Sequence, residues 1–277
     1  VYASISGFGQ YGPYKERAGY DIIGQAMGGL LSITGWPDGP PTRSGTAIGD
    51  ILSSLFCTIG ILAALKIREK TGKGQLVDVS LVDSVFASLE NIPQRYFAEG
   101  VIPSRIGNRY EFVYPYDSFE TKDGFVIIGI ANDSIWRRFV EATRIQQIDD
   151  KKYYTNALRV ENHESLKPLI EGWTKKRGKN EIIDILNNNG IPSSPIYDIK
   201  NIVGDEHIAQ AREMVLEQDQ PGIGKIKVLG NPIKMSRTRP APRGPAPRLG
   251  ENTESVLLEL LEVTGQEYKK LVHKKVI

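Results

Sequence analysis

The longest periodic stretch runs from a polar, glycine-punctuated loop ending at Asp50 to the glycine at position 72. Apolar residues recur at Ile51, Leu52, Leu55, Phe56, Ile59, Leu62, Ala63 and Leu65, the i, i+3, i+4, i+7 spacing of a helix with a wide buried face. Charges gather only near its end (Lys66, Arg68, Glu69, Lys70), and Gly72 supplies the stop. Residues 1–7 (VYASI at the start) read as a buried strand, and residues 8–19 as a loop. Residues 20–31 read as a helix in which Gly24, Ala26, Gly28 and Gly29 form a small-residue face for close packing. Residues 34–45 are a Gly/Pro-rich loop, residues 75–81 a strand with Val77 and Val79 on one face, and residues 82–99 a helix. This alternation predicts an α/β fold with a parallel sheet, whose ligands gather beyond the carboxyl ends of the strands.

Beyond residues 100–108 the pattern changes. Residues 116–131 predict two strands about Asp123–Gly124, a strong hairpin signal. Helices follow over 134–143, 156–173 and 179–189, with an extended run over 191–198, together a compact α+β unit. Residues 214–235 read as a second hairpin, 237–248 as a Pro-rich extended strap along the surface, and 251–263 and 266–273 as closing helices. The division expected is a large α/β domain over 1–105, a small α+β domain over 106–200, and a C-terminal segment over 201–277 that returns to the large domain.

Composition narrows the class. With 40% hydrophobic and 25% charged residues over 277 positions, the chain is globular, and long enough for two domains. A net charge of +2 gives no electrostatic case for nucleic acid. The single cysteine, Cys57, excludes a disulfide framework, points to a reducing, cytoplasmic setting, and lies on the apolar run, where a thiol is inert. No apolar run reaches membrane-span length without charges or glycine breaks, so no membrane partner is expected. A chain opening inside a buried strand suggests a fragment of something longer.

Asp50 has two readings. As an N-cap it would accept a bond from an orphan N–H of the helix. As a nucleophile it would be a carboxylate held at the positive helix end, ready to attack an electrophilic carbonyl. The three histidines (His163, His207, His273) are scattered, so neither a metal cluster nor a Ser–His pair is expected. There is no P-loop, no G-x-S-x-G, and no G-x-G-x-x-G after the first strand. The residues alone lead to an α/β enzyme with a carboxylate site.

The runs SISGFGQYGPYKERAGYD, TGWPDGPPTRSGTAIGD and REKTGKGQLVDVSL, with the segments NPIKMS and PAPRLGE, closely resemble the family III CoA-transferases of the CaiB/BaiF type. The resemblance covers essentially the whole chain. It implies a Rossmann-like parallel-sheet large domain, present here in part, a smaller α+β domain, and two subunits interlocked as a homodimer. It also implies that members extend further on the N-terminal side, where part of the CoA site lies. Asp50 falls at the family's catalytic aspartate, which forms a mixed anhydride and then an aspartyl-CoA thioester. Ala18, Gly19 and Tyr20 match the loop lying along CoA, Asp21 an acidic residue near the reacting centre, and Asn108 the start of a mobile glycine-rich loop. Coenzyme A enters as substrate with a carboxylic acid as its partner; no tightly bound cofactor and no metal are implied. Two departures weigh against an oxalate-specific enzyme: residues 107–116 carry no glycine run, and Ser6 replaces a lysine.

The rival branch is the α-methylacyl-CoA racemases, which move a proton at the carbon α to the thioester and need two acid/base groups. The resemblance places Tyr20 where they have a histidine and Asn132 where they have a glutamate. A phenol is a poor base at neutral pH and a carboxamide transfers no proton, so transferase is favoured. A fragment that only binds acyl-CoA is the third reading. Tyr110, Phe112, Tyr114 and Tyr116 in the loop over 105–116 suggest an acceptor less polar than oxalate.

Overall fold

The computed structural model describes residues 1–238, 240 and 244–277, which form two compact units, residues 1–196 and 197–277. In the first unit, strand β1 (Tyr2–Ser6) pairs in parallel with β2 (Leu76–Ser80), in the register Tyr2 to Leu76 through Ser6 to Ser80. The parallel pairing expected from the alternation is therefore present. Between the two strands come helices α1 (Asp21–Met27), α2 (Leu30–Ile33) and α3 (Ile48–Thr71), and β2 runs directly into α4 (Leu81–Ala87). Ser80 caps α4 by accepting the Asp83 N–H. Strand β1 is not buried as expected: Tyr2 and Ile5 are exposed, and among the described residues its sheet consists of β1 and β2 alone.

Helix α3 begins at Ile48, ahead of its apolar run, and ends at Gly72, which takes φ +71° and donates its N–H to the Arg68 carbonyl. Its burial reverses the expectation. The buried line is Gly49, Ser53, Cys57 and Ala64, while Ile51, Leu55, Ile59 and Leu62 are exposed. Small residues let the helix approach β2 closely: a Cβ at Gly60 would lie 2.7 Å from Val77 Cγ1. By length and composition α3 could cross a membrane; here its small-residue line packs on β1, β2, α1 and α4.

The expected helix over 20–31 is broken. Gly24 and Gly28 do allow close packing, since added Cβ atoms would meet Leu81 Cβ at 2.9 Å and Val85 Cγ1 at 2.6 Å. Gly29 instead turns the chain with φ +91°, and Ala26 is exposed. The helix over 82–99 also divides, into α4 and α5 (Ile92–Glu99), around Glu90 at φ +54° and Pro93 in the first turn of α5.

The unit's main core lies between residues 114 and 191. Strands β3 (Tyr116–Thr121) and β4 (Gly124–Gly129) form the expected hairpin, and β5 (Ser193–Pro195) adds an antiparallel third strand. Phe119, Val126, Ile128 and Ile130 pack with Trp136 and Phe139 of α6 (Asp133–Thr143). Leu166 and Ile170 of α8 (His163–Thr174) and Ile182 and Leu186 of α9 (Lys179–Asn188) complete the core. Arg159, on α7 (Asn156–Glu161), is buried inside it, bonding the carbonyls of Tyr114, Tyr153 and Tyr154 and the Asp133 carboxylate. Burial lowers its pKa, and Asp133 opposes that shift.

The second unit holds α10 (Ile199–Gly204), a π turn over Glu206–Ala211, and the expected hairpin of β6 (Val215–Gln220) and β7 (Gly224–Leu229). The closing helical stretch over 251–263 forms α11 (Thr253–Ser255) and a π turn, Val256–Leu260; α12 (Gly265–His273) follows, capped by Thr264 and Glu267. Of the Pro-rich strap, residues 239 and 241–243 lie outside the described residues. Gly244 and Ala246 bond the side chains of Gln218 and Gln220 on β6.

Candidate active site

Asp50 is the third residue of α3, within its first turn. It is therefore not the N-cap. That position is Ala47, which offers no side-chain cap. The helix start is satisfied by other means. The Ile48 N–H bonds the Thr46 carbonyl at 2.9 Å, and the Ile51 N–H bonds the Ala47 carbonyl at 3.1 Å. The Gly49 N–H donates at 2.8 Å to Oδ1 of Asp21, the first residue of α1. Among the described residues the Asp50 N–H has no partner, and neither does its exposed carboxylate. A free carboxylate and a free backbone donor thus share one residue at the positive end of a 24-residue helix.

Gly49 is glycine for a steric reason. A Cβ there would stand 3.1 Å from Asp21 Oδ1 and 3.3 Å from Val85 Cγ2, so α1 and α4 crowd the helix start from one side. Asp50 points out on the other.

Asp21 itself is held by Gln25, one turn further along α1. Gln25 is fully buried; its Nε2 donates to Asp21 Oδ2 at 2.7 Å and to the Thr46 carbonyl at 3.3 Å, and its Oε1 accepts the Ser44 N–H at 3.0 Å. Sequence reasoning missed Gln25. The available signal was its i, i+4 spacing from Asp21, which puts both side chains on one helical face.

Of the other expected site residues, Ala18, Gly19 and Tyr20 lead directly into α1. Ala18 and Tyr20 are exposed, the Tyr20 ring at 82%. Gly19 closes the loop over 8–18 against Gly7: a Cβ on Gly19 would sit 3.0 Å from the Gly7 Cα. Ser6 turns inward and accepts the Gly9 N–H. Asn108 lies on a different loop and donates to Ser118 Oγ at 3.0 Å. That loop is tied to the one before α3: the Gly107 N–H bonds the Gly35 carbonyl at 2.9 Å, and Arg105 Nη2 bonds the Gly39 carbonyl at 2.8 Å. Arg95 of α5 pairs with Glu111 of the same loop.

One further expectation changes. Tyr114 belongs to the core, with its hydroxyl buried and unpaired among the described residues and its pKa raised, first by burial and then by Asp117; only Tyr110, Phe112 and Tyr116 cluster at the loop. Asn132 is the N-cap of α6, its Oδ1 accepting the N–H groups of Ser134 and Ile135. A cavity of about 510 Å³ lined by Arg144, Gln146, Trp173 and Lys176 is lined by no residue of the Asp50 cluster.

The sequence pattern described as CoA-transferase family III matches residues 1–253. The chain belongs to that family. A succinyl-CoA:mesaconate CoA-transferase of Haloarcula marismortui is 39% identical over 271 residues, covering 96% of this chain and 67% of that protein. A succinate–glutarate CoA-transferase of Agrobacterium fabrum is 37% identical over 261 residues, covering 94% of this chain and 65% of the relative. The chain thus spans about two thirds of the length of the curated relatives it matches. A crystal structure of a CaiB/BaiF family protein from Brucella suis, 35% identical, superposes with a TM-score of 0.79 over 94% of this chain and 68% of its own. The mixed α/β architecture is the fold of this family III chain and its structural relatives.

Proposed function

We propose that this family III chain moves CoA from an acyl-CoA thioester to a dicarboxylic acid, with Asp50 as the covalent nucleophile. The observation that carries this reading is the Asp50 side chain, exposed in the first turn of α3 with its carboxylate and its own N–H both unpartnered among the described residues. An Asp50 carboxylate oxygen attacks the thioester carbon, the C–S bond breaks, and CoA leaves as thiolate with a mixed anhydride left on Asp50. The thiolate attacks the aspartyl carbon of the anhydride and the donor acid departs, leaving an aspartyl-CoA thioester. The acceptor carboxylate attacks that thioester, and the released thiolate then takes the acceptor's acyl carbon, regenerating Asp50. The thioester's free energy stays on the enzyme because no step passes through water. The Asp50 N–H and the helix end favour the charge that develops on the attacked carbonyl oxygens.

Ala18, Gly19 and Tyr20 are read as the CoA-side loop, Asp21 as the acidic residue beside the centre, and Asn108 as part of the acceptor side. Residues 1–105 are read as the large, catalytic domain and 106–200 as the small one. The names of the relatives, which pair succinyl-CoA with mesaconate and succinate with glutarate, support a dicarboxylate of that size class, succinyl-CoA being the donor to try first. A homodimer acting in the cytoplasm completes the reading; the exposed apolar side of α3 supports an additional covering surface.

The intact protein, incubated with succinyl-CoA and mesaconate or glutarate and quenched with hydroxylamine, is expected to carry the modification on the Asp50 peptide. Loss of that label in Asp50→Asn supports the mechanism. No label, with deuterium entering the α-carbon of a methyl-branched acyl-CoA, overturns it in favour of racemisation.

A further inference from the structure

We propose that Gln25 is a positioning residue for Asp50, and that its carboxamide sets which N–H at the start of α3 stays open. This rests on Asp50 being the nucleophile. Helix α3 has no side-chain N-cap of its own. The cap is supplied from α1, and Gln25 is where the two routes to the helix start meet. One route runs from Gln25 Nε2 through the Asp21 carboxylate to the Gly49 N–H, with bonds of 2.7 and 2.8 Å. The other runs from both carboxamide atoms to Ser44 and Thr46, in the loop that enters the helix, with bonds of 3.0 and 3.3 Å. Together they grip both ends of the short segment, residues 44–49, that leads into Asp50.

The partners dictate the side chain. Ser44 N–H needs an acceptor, while the Thr46 carbonyl and the Asp21 carboxylate need a donor. Only one orientation of a glutamine amide satisfies all three. A leucine satisfies none of them. An ionised glutamate at this fully buried position would face Asp21 carboxylate to carboxylate. With Asp21 held in place, its Oδ1 claims the Gly49 N–H and leaves the Asp50 N–H free. When Asp21 is released, the first turn is free to shift, and the carboxylate and its neighbouring donor lose their alignment toward the thioester.

The test is Gln25→Leu and Gln25→Glu in the intact protein, assayed with succinyl-CoA and glutarate and by hydroxylamine trapping. In Gln25→Leu, kcat and the rate of label formation at Asp50 are expected to fall about a hundredfold with KM for the acyl-CoA little changed. In Gln25→Glu the loss is expected to be deepest at neutral pH and to shrink as pH falls, because a protonated Glu can again donate to Asp21. A purely structural role would lower the amount of folded enzyme without giving the variant a new pH profile. Equal labelling rates in Gln25→Leu and wild type overturn the proposal while leaving Asp50 as nucleophile. Absence of label at Asp50 in the wild type overturns the underlying reading instead. Should neither variant fold, hydrogen exchange on the wild type decides: slow exchange of the Ser44 and Gly49 amides supports the clamp, and free exchange there overturns it.

Discussion

The Asp21 carboxylate and the Gly49 backbone N–H, 28 residues apart in sequence, meet at 2.8 Å. That bond makes an acidic side chain on α1 the effective cap of α3, so that Asp50, the next residue, is not needed as one. A residue relieved of capping is available for chemistry, and the first two predictions below turn on how this helix start is assembled.

Replacing Asp50 by Asn is expected to abolish the hydroxylamine-trappable intermediate and to lower turnover by at least about a thousandfold, the scale on which covalent nucleophiles act. Stability should scarcely change, within about 0.5 kcal/mol, because the side chain is exposed and bonds nothing among the described residues. Turnover and urea denaturation, measured on the same preparation, check both halves.

Asp21→Ala removes the acceptor of the Gly49 N–H and one acceptor of Gln25 Nε2. Both donors sit on buried residues, so the expected cost is about 1–3 kcal/mol. Denaturation midpoints should fall, and the labelling rate at Asp50 should fall with them.

Two glycines, one at the C-cap of α1 and one inside α8, should respond in opposite senses. Gly28→Ala places a methyl 2.6 Å from Val85 Cγ1, where α1 lies against α4, and is expected to destabilise by about 1–3 kcal/mol. Gly172→Ala, inside α8 with nothing within 4 Å of the new methyl, is expected to stabilise by about 0.5–1 kcal/mol through helix propensity. Thermal melts of the two variants against the parent give the comparison.

Asp123 serves as a remote cap of α9. Its Oδ1 accepts the Lys179 N–H at 2.8 Å and the Thr121 hydroxyl at 3.0 Å. The Lys179 bond leads in lowering its pKa, with the Thr121 bond also contributing. A carboxylate whose folded pKa is lowered stabilises the fold above its unfolded pKa of about 3.9 and loses that contribution as pH falls through the folded value. Asp123→Ala should therefore be less stable than wild type at pH 7, and the gap should narrow steadily below about pH 4. Urea midpoints across that range measure it.

Much of the chain was legible because its signals are local. Gly72 ends α3 in the left-handed conformation its type favours, and Lys122–Asp123 forms a two-residue turn ahead of Gly124. The β1–β2 pairing follows from strands separated by helices. The motifs around Asp50 were sufficient to indicate family III. Breaks inside helices were less legible: Gly29 and Glu90 take positive φ in stretches whose apolar pattern continues through them.

Where helices and strands form, where most of them stop, and which family the chain belongs to can all be read from the amino-acid order, since each depends on neighbours within a few residues or on whole motifs. Which side of α3 is buried depends instead on long-range packing, because β2, α1 and α4 lie against the helix and its buried line is Gly49, Ser53, Cys57 and Ala64, with the bulkier Leu55 and Ile59 outside. Long-range contacts also decide that Asp50 is not a cap and that Gln25 holds the helix start. Both depend on side chains 19 to 28 residues away filling backbone hydrogen bonds, and no periodicity within α3 carries that information.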